Sequence, residues 1–380
     1  NEGNSDNEFI FEIDRSGNGN WELLKTVAVG KKSSSLVEFD PQSPGEWIRV
    51  KSKKAVTATV HFSYAGKEER GSSPDDIFEG LSSVDEISST GGLLYGLGND
   101  RRALGVLAGK FTGNSFTEEG YYELDGRMVL SRKVNDTTAD FIRYRFAIPG
   151  EVVRFDEASA VIDDDMGRRW RLPVKSRTFA DLTNASALRL CREVATERDL
   201  FNCGGTFYEL PANNADGFAK IRPVASHNFR IHDYASYRGM LIMTGIDPDN
   251  AAKNPHVIIS DDGKAAVWAG VIDDLWKMGK PSGEGGPWKN SEVSAGTPSD
   301  PYLIGFFDRR SLEISHDSRS TVRFMIEADP SGDGTWMRYT EVAVAEGEVF
   351  KHTFPENFQA RWIRFVPDRN GKSTCWLKYE

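Results

Sequence analysis

Residues 9–64 and 324–379 are two copies of one pattern, offset by 315 residues without a gap. The first reads Asp14-Arg-Ser16-Gly17-Asn18-Gly19-Asn-Trp21, and the second Asp329-Pro-Ser331-Gly332-Asp333-Gly334-Thr-Trp336. Each continues 26 residues later with Trp-Ile-Arg, at Trp47-Ile48-Arg49 and Trp362-Ile363-Arg364. Each then closes 17 residues further on with a tyrosine, Tyr64 or Tyr379, and Phe39 and Phe354 also fall in register. A self-match of this size marks a modular chain whose units bury their apolar faces against neighbours. It predicts similar β modules near the two termini, meeting where the chain closes.

Strand signals fill the interval between the copies. The first module reads as strands over 8–13, 22–29, 46–50 and 55–64, with turns at Pro41, Pro44 and Gly45. Apolar runs follow at Gly92–Leu97 and Ala103–Ala108 around a turn at Asn99-Asp100, at Gly239–Gly245, Val257–Ile259 and Ala265–Gly270, and at Tyr302–Phe307 and Ser311–Ser315. Nine tryptophans and 22 phenylalanines suit pleated, packed surfaces. One stretch, Ala187–Leu200, has helical composition, but its alternation and its surroundings favour a strand. About two dozen strands in modules of about 55–60 residues predict an all-β chain, with residues 1–380 forming a single β-propeller domain. Seven blades are expected, with five or six as alternatives, because radial repetition protects strand edges. β-Sandwich modules flanking a central β domain are the competing architecture.

A second kind of turn recurs. Asp163-Asp-Asp165-Met-Gly167-Arg-Arg-Trp170 has Asp-box spacing, and Ser260-Asp-Asp262-Gly263 leading to Trp268 is a looser variant. A carboxylate there caps turn amides, glycine takes positive φ, and tryptophan packs beneath the hairpin. These turns read as scaffold, with a structural calcium as the lesser alternative; no cofactor or catalytic metal is expected.

The net charge of −10 disfavours nucleic acid, which needs clustered Lys and Arg. No run of about 18 apolar residues is present, so no helical membrane span is expected. Cys191, Cys203 and Cys375 lack metal-ligand spacing; three reduced thiols are favoured over one Cys191–Cys203 disulfide. The polar opening Asn1-Glu-Gly-Asn-Ser-Asp-Asn is compatible with a mature terminus after export or with a trimmed chain.

Chemistry is expected between 192 and 302. The block from Cys203 to Gly239 gathers Tyr208, Glu209, His227, Arg230, His232, Asp233, Tyr237 and Arg238, a mixture suited to a sugar. Tyrosines would stack on it, arginines bind its carboxylate, and His or Glu move protons. A second block holds Asp273, Trp276, Lys277, Trp288, Lys289, Asp300 and Tyr302. Its polar, Gly- and Pro-rich stretch 279–299 reads as a long ordered loop, with Trp276 and Trp288 as the sugar platform. No phosphate loop, His-Glu-x-x-His, Gly-x-Ser-x-Gly or dinucleotide fingerprint occurs.

The segments Thr206–Pro211, His232–Gly239, Asp273–Pro281 and Gly285–Lys289 resemble exported β-propeller proteins of bacterial polysaccharide-utilisation systems. That group includes exo-acting glycoside hydrolases and rhamnosyl–glucuronate lyases. The resemblance implies a secreted, periplasmic or cell-surface monomer acting on an oligo- or polysaccharide, by removing a terminal sugar from an acidic plant or algal glycan. For hydrolysis the candidate carboxyls are Glu197, Glu209, Asp233 and Asp273. For a lyase acting at a uronate, His232 or His227 with Tyr208 or Tyr237 would move protons while Arg230 or Arg238 neutralises the uronate. A non-catalytic glycan-binding propeller is the third expectation.

Overall fold

The computed structural model describes residues 1–40, 43–64, 66, 69–98, 102–195, 198–247 and 249–380. The expected Asn99-Asp100 turn, Pro41 and the candidate carboxyl Glu197 lie outside them. The described residues form an all-β chain of antiparallel sheets with few helices, in two compact units. No closed ring of blades is found among the described residues.

The first unit comprises residues 1–67, 290–305 and 311–375, and contains most of both sequence copies. Three strands of each copy correspond residue for residue. Asn7–Asp14 corresponds to Val322–Asp329, Glu22–Val29 to Met337–Val344, and Trp47–Ser52 to Trp362–Pro367. Even the β-bulge recurs, between Phe11 and Glu12 in one copy and Ile326 and Glu327 in the other. In each, one carboxylate closes the turn: Asp14 accepts from the amides of Gly17 and Gly19, and Asp329 from those of Gly332 and Gly334. Both Trp-Ile-Arg arginines do one job. Arg49 pairs with Glu12 and covers Trp21 at 4.1 Å; Arg364 pairs with Glu327 and covers Trp336 at 4.3 Å. The copies part company at the expected strand 55–64, which belongs to no sheet, whereas its counterpart is the strand Gly371–Tyr379.

The second unit, residues 68–289, 306–310 and 376–380, stacks sheets face to face. One four-stranded sheet runs Ser88–Gly96, Leu104–Thr112, Ser115–Leu124, Leu130–Arg132. A second contains Tyr234–Tyr237, Met240–Met243, Ala266–Gly270 and Val257–Ile259, in that spatial order. A third contains Cys191–Ala195, Arg198–Cys203, Thr206–Pro211 and Arg222–Ser226. The middle one is apolar on both sides because it is sandwiched. Ile242, Val267 and Ala269 pack on Leu104, Val106 and Tyr122, while Leu241, Met243 and Trp268 pack on Leu200, Phe207 and Val224. That two-sided burial makes its strands continuous apolar runs rather than alternating ones.

Two helices occupy places read as connection. Asp136–Arg145 is capped by the Asn135 side chain, which accepts from the Thr138 amide, and rests Ala139 and Ile142 on Leu93, Leu107 and Tyr121. Thr178–Asn184 buries Phe179 and Leu182. The stretch with helical composition does form the strand Cys191–Ala195. The Asp-box hairpin joins Ala160–Asp163 to Arg169–Leu172, but its capping residue is Asp164. One Asp164 oxygen accepts from the amides of Met166 and Arg168 and the other from the Trp170 indole, with Gly167 at φ 73°.

Candidate functional site

The second unit contains a cleft of about 500 Å³. Its position follows from an irregular segment, 79–86, threaded between two others. The Ser82 amide donates to Gly245 O, the Val84 amide to Asn228 O, and the Arg230 amide to Ser82 O. Gly245, at φ 112°, must be glycine: a Cβ there would lie 2.0 Å from the Arg230 carbonyl oxygen. This three-way pairing brings Glu79 and Glu86 to the same concavity as Asn228, Phe229, Asp247 and Asn250. Lys175 lines it as well.

The carboxyls differ in environment. Burial raises Glu86 above the ordinary carboxylate range, and the carboxylates of Asp247 and Asp249 raise it further. Asp247 is held by the Asn250 side-chain amide at 2.7 Å and the Asp249 backbone amide at 2.9 Å. Lys175 is half-buried, its pKa lowered by burial, and its ammonium donates to Ser282 Oγ at 2.7 Å. The cleft thus offers a carboxyl that stays protonated to higher pH than usual, a neighbouring carboxylate, two amide side chains, an aromatic ring and an ammonium.

Of the residues expected from the sequence, His227 alone lines this cleft. Its Nδ1 accepts from the Phe229 amide at 3.1 Å, which assigns the proton to Nε2 facing Asn202 Oδ1 at 3.1 Å. Burial pushes it down to about 3. His232 is also buried and neutral: Nδ1 accepts from the Gly92 amide, Phe111 and Phe116 press on the ring, and burial lowers it to about 4. Asp233 is wholly buried between Arg189 and Arg192 and also accepts from the amides of Leu94 and Tyr234. Arg230 donates to the carbonyls of Glu86 and Gly113, and Tyr237 to that of Arg102. Tyr208 lies in the core, where burial raises it well above the usual phenol range. Each of these side chains is engaged in holding the sheets.

The second block disperses. Trp276 is 40% exposed, with the guanidinium of Arg70 4.4 Å from its ring and that of Arg222 at 5.7 Å. Lys277 pairs with Asp274, Asp273 is exposed, and Lys289 lies over Trp376. Asp300 and Tyr302 fall in the first unit, Tyr302 fully buried. Glu209 and Trp288 are half-buried and Arg238 is exposed at a turn, all three away from the cleft. The expected loop 279–299 contains instead an eleven-residue strand, Gly283–Val293, in which Gly285, Gly286 and Pro287 are buried. Among the described residues no group of three or more His, Cys, Asp or Glu is arranged to hold a metal, and the three cysteines are free thiols.

The residues missed by motif reading are Glu79, Glu86, Lys175, Asn228, Asp247 and Asn250. Glu79 and Glu86 lie in a long Ser-, Asp- and Glu-rich stretch before Ser88, too long for a simple connection, whereas no sequence motif marks the other four. No family model matches this chain, and no curated protein matches it. Among solved structures, the crystal structure of PirA is 17% identical, covers 26% of this chain and 84% of its own, and has a TM-score of 0.16. A mutant of Bombyx mori GH32 beta-fructofuranosidase BmSUC1 in complex with sucrose is 9% identical, covers 98% of this chain and 77% of its own, and has a TM-score of 0.15. Likenesses this slight fix neither fold nor chemistry.

Proposed function

We propose that this protein is a carbohydrate-active enzyme, an exo-acting glycoside hydrolase that removes a terminal sugar from a complex acidic polysaccharide outside the bacterial cell. The observation that carries this reading is Glu86, a carboxyl raised by burial in a cleft that also holds Asp247. Glycosidic hydrolysis uses such a pair, one carboxyl protonated to release the leaving oxygen and one ionised to activate water or stabilise the ring cation. In this scheme Glu86 donates its proton to the glycosidic oxygen, and Asp247 acts from the other side. Asn228 and Asn250 bind hydroxyls, Phe229 lies against a ring face, and Lys175 meets an acidic substituent. The scaffold part of the proposal is propeller-like: three sheets stack face to face and the first strands of neighbouring sheets touch, as blades do around an axis.

The lyase alternative has less support. Of the histidines and tyrosines it would use, only His227 lines the cleft, and both its ring nitrogens are hydrogen-bonded. The test is product release from a panel of plant and algal polysaccharides, followed by chromatography. Glu86→Gln should lower kcat by at least ~100-fold, as loss of a general acid does, with binding retained. Binding without turnover by the parent protein would replace the enzyme reading with a glycan-binding one. Turnover undiminished in Glu86→Gln would sink the assignment of the acid.

A further inference from the structure

Arginine stacked on an aromatic ring recurs in this chain, and an acidic partner recurs with it. Arg49 on Trp21, Arg364 on Trp336, Arg168 on Trp170 and Arg132 beside Tyr122 also pair with Glu12, Glu327, Asp164 and Asp262 respectively. Arg222 breaks the pattern. Its exposed side chain, at the start of the strand Arg222–Ser226, sets the guanidinium 5.7 Å from the Trp276 ring and 5.2 Å from that of Phe306. It pairs with no carboxylate among the described residues. Stacking fixes the plane of a guanidinium and leaves its N–H fork for an oxyanion. The rings are displayed too: Trp276 is 40% exposed and Phe306 42%. Phe306 also sits at φ 70°, a conformation that costs a bulky residue energy, in a solvent-facing turn.

These residues adjoin the cleft. Arg70 donates to the carbonyls of Val224 and Trp276, and the pairing continues with the Lys280 amide on Gly71 O and the Asp75 amide on Lys277 O. Ser72 and Met278, on these paired segments, line the cleft. Arg70 and Trp276 each lie two residues from them, at most about 7 Å along the chain. We propose that Arg222, with Trp276 and Phe306, is a subsite for an anionic sugar, bearing a carboxylate or a sulfate, on the part of a polysaccharide that extends out of the cleft. The guanidinium takes the anion and the exposed rings meet the apolar face of the sugar. A chain of net charge −10 repels polyanions at large, so a local arginine without a carboxylate is what admits one. Nucleic acid, which needs clustered cations, fits this single guanidinium less well. The inference rests on the glycan reading of the cleft for its class of ligand, but it predicts binding rather than turnover.

The test uses the full chain and three fluorescently labelled oligosaccharides of equal length: an oligogalacturonide, a sulfated galactan fragment and a neutral cello-oligosaccharide. Polarisation should show at least one charged probe binding ~10-fold or more tightly than the neutral one, as a hydrogen bond to a charged group provides. Arg222→Ala should abolish that margin, and the probe that loses it identifies the anion as carboxylate or sulfate. Phe306→Gly, which suits the positive φ, should weaken binding without lowering the thermal unfolding midpoint, a result that a packing role would not give. Product release by the parent chain decides the hydrolase reading separately: charged-probe binding that depends on Arg222, with no turnover, sinks that reading and keeps this one. The subsite is overturned if Arg222→Ala binds the charged probes as tightly as the parent does, if the neutral probe binds equally well, or if no probe binds at millimolar concentration. It is overturned too if a single-stranded oligonucleotide displaces the bound probe as effectively as the unlabelled oligosaccharide.

Discussion

Asp233 illustrates how a residue that looks catalytic in sequence can be structural in space. It accepts from Arg189 and Arg192 on one sheet side, from the Leu94 amide on another, and from its own neighbour Tyr234. Replacing it with Ala would leave Arg189, 8% exposed, without its carboxylate. Removing one partner from a buried ion pair costs about 3–5 kcal/mol, so Asp233→Ala should lower unfolding free energy by that order in urea titrations. A change below about 1 kcal/mol would mean the arginines find other acceptors. Glu86 has the converse character, an unremarked glutamate in sequence that gains chemistry from its place. Its carboxyl titrates above the ordinary range, so the protonated form needed for acid catalysis persists to higher pH and is lost as pH rises through that raised value. The alkaline limb of kcat/KM should therefore disappear in Glu86→Gln, leaving only residual activity without that titration.

Turns and strands were the legible elements, for a reason seen in the paired copies. Their side chains alternate, and the turn carboxylates of Asp14, Asp164 and Asp329 bond to amides within a few residues, so the signal is local. The Asp164 turn also predicts a magnitude. Asp164→Ala strands the Trp170 indole N–H, 7% exposed as a residue, and two turn amides, and should cost about 1–3 kcal/mol in thermal or urea unfolding. The helix Asp136–Arg145 escaped notice because it buries only Ala139 and Ile142, too few for a 3.6-residue stripe. The strand Gly283–Val293 was hidden by the opposite cause, since close backbone packing there selects glycine and proline, which read as loop. The cleft was illegible for a third reason. Its carboxyls converge through main-chain bonds among residues 82–84, 228–230 and 245, and such bonds carry no side-chain periodicity.

Across the whole molecule, the buried neutral histidines set a pH dependence. His227 and His232 titrate at about 3 and about 4 when folded, below the ordinary 6.5. Their folded values are depressed, so the unfolded chain binds more protons between those limits. The stability they contribute is present in full above about 6.5 and is lost as pH falls toward 4 and then 3. Each contributes a slope of up to about 1.4 kcal/mol per pH unit within its window. The midpoint of urea unfolding should fall steadily between pH 6.5 and 4, and His232→Asn should flatten that decline; an unchanged slope would show that carboxylates dominate it. The scale at which the sequence spoke least was this one, because the same residues that set acid sensitivity had been read as proton carriers.

The convergence on Asp233 also bears on how the second unit comes apart. Leu94, Arg189 and Tyr234 sit on or beside three different sheets, and one carboxylate ties their main chains and side chains together. Sheets joined at a single shared acceptor cannot open one at a time without stranding charge inside the others. The unit should therefore melt in an all-or-none manner, with calorimetric and van't Hoff enthalpies equal for its transition. Its most slowly exchanging amides should be spread over all three sheets rather than confined to one.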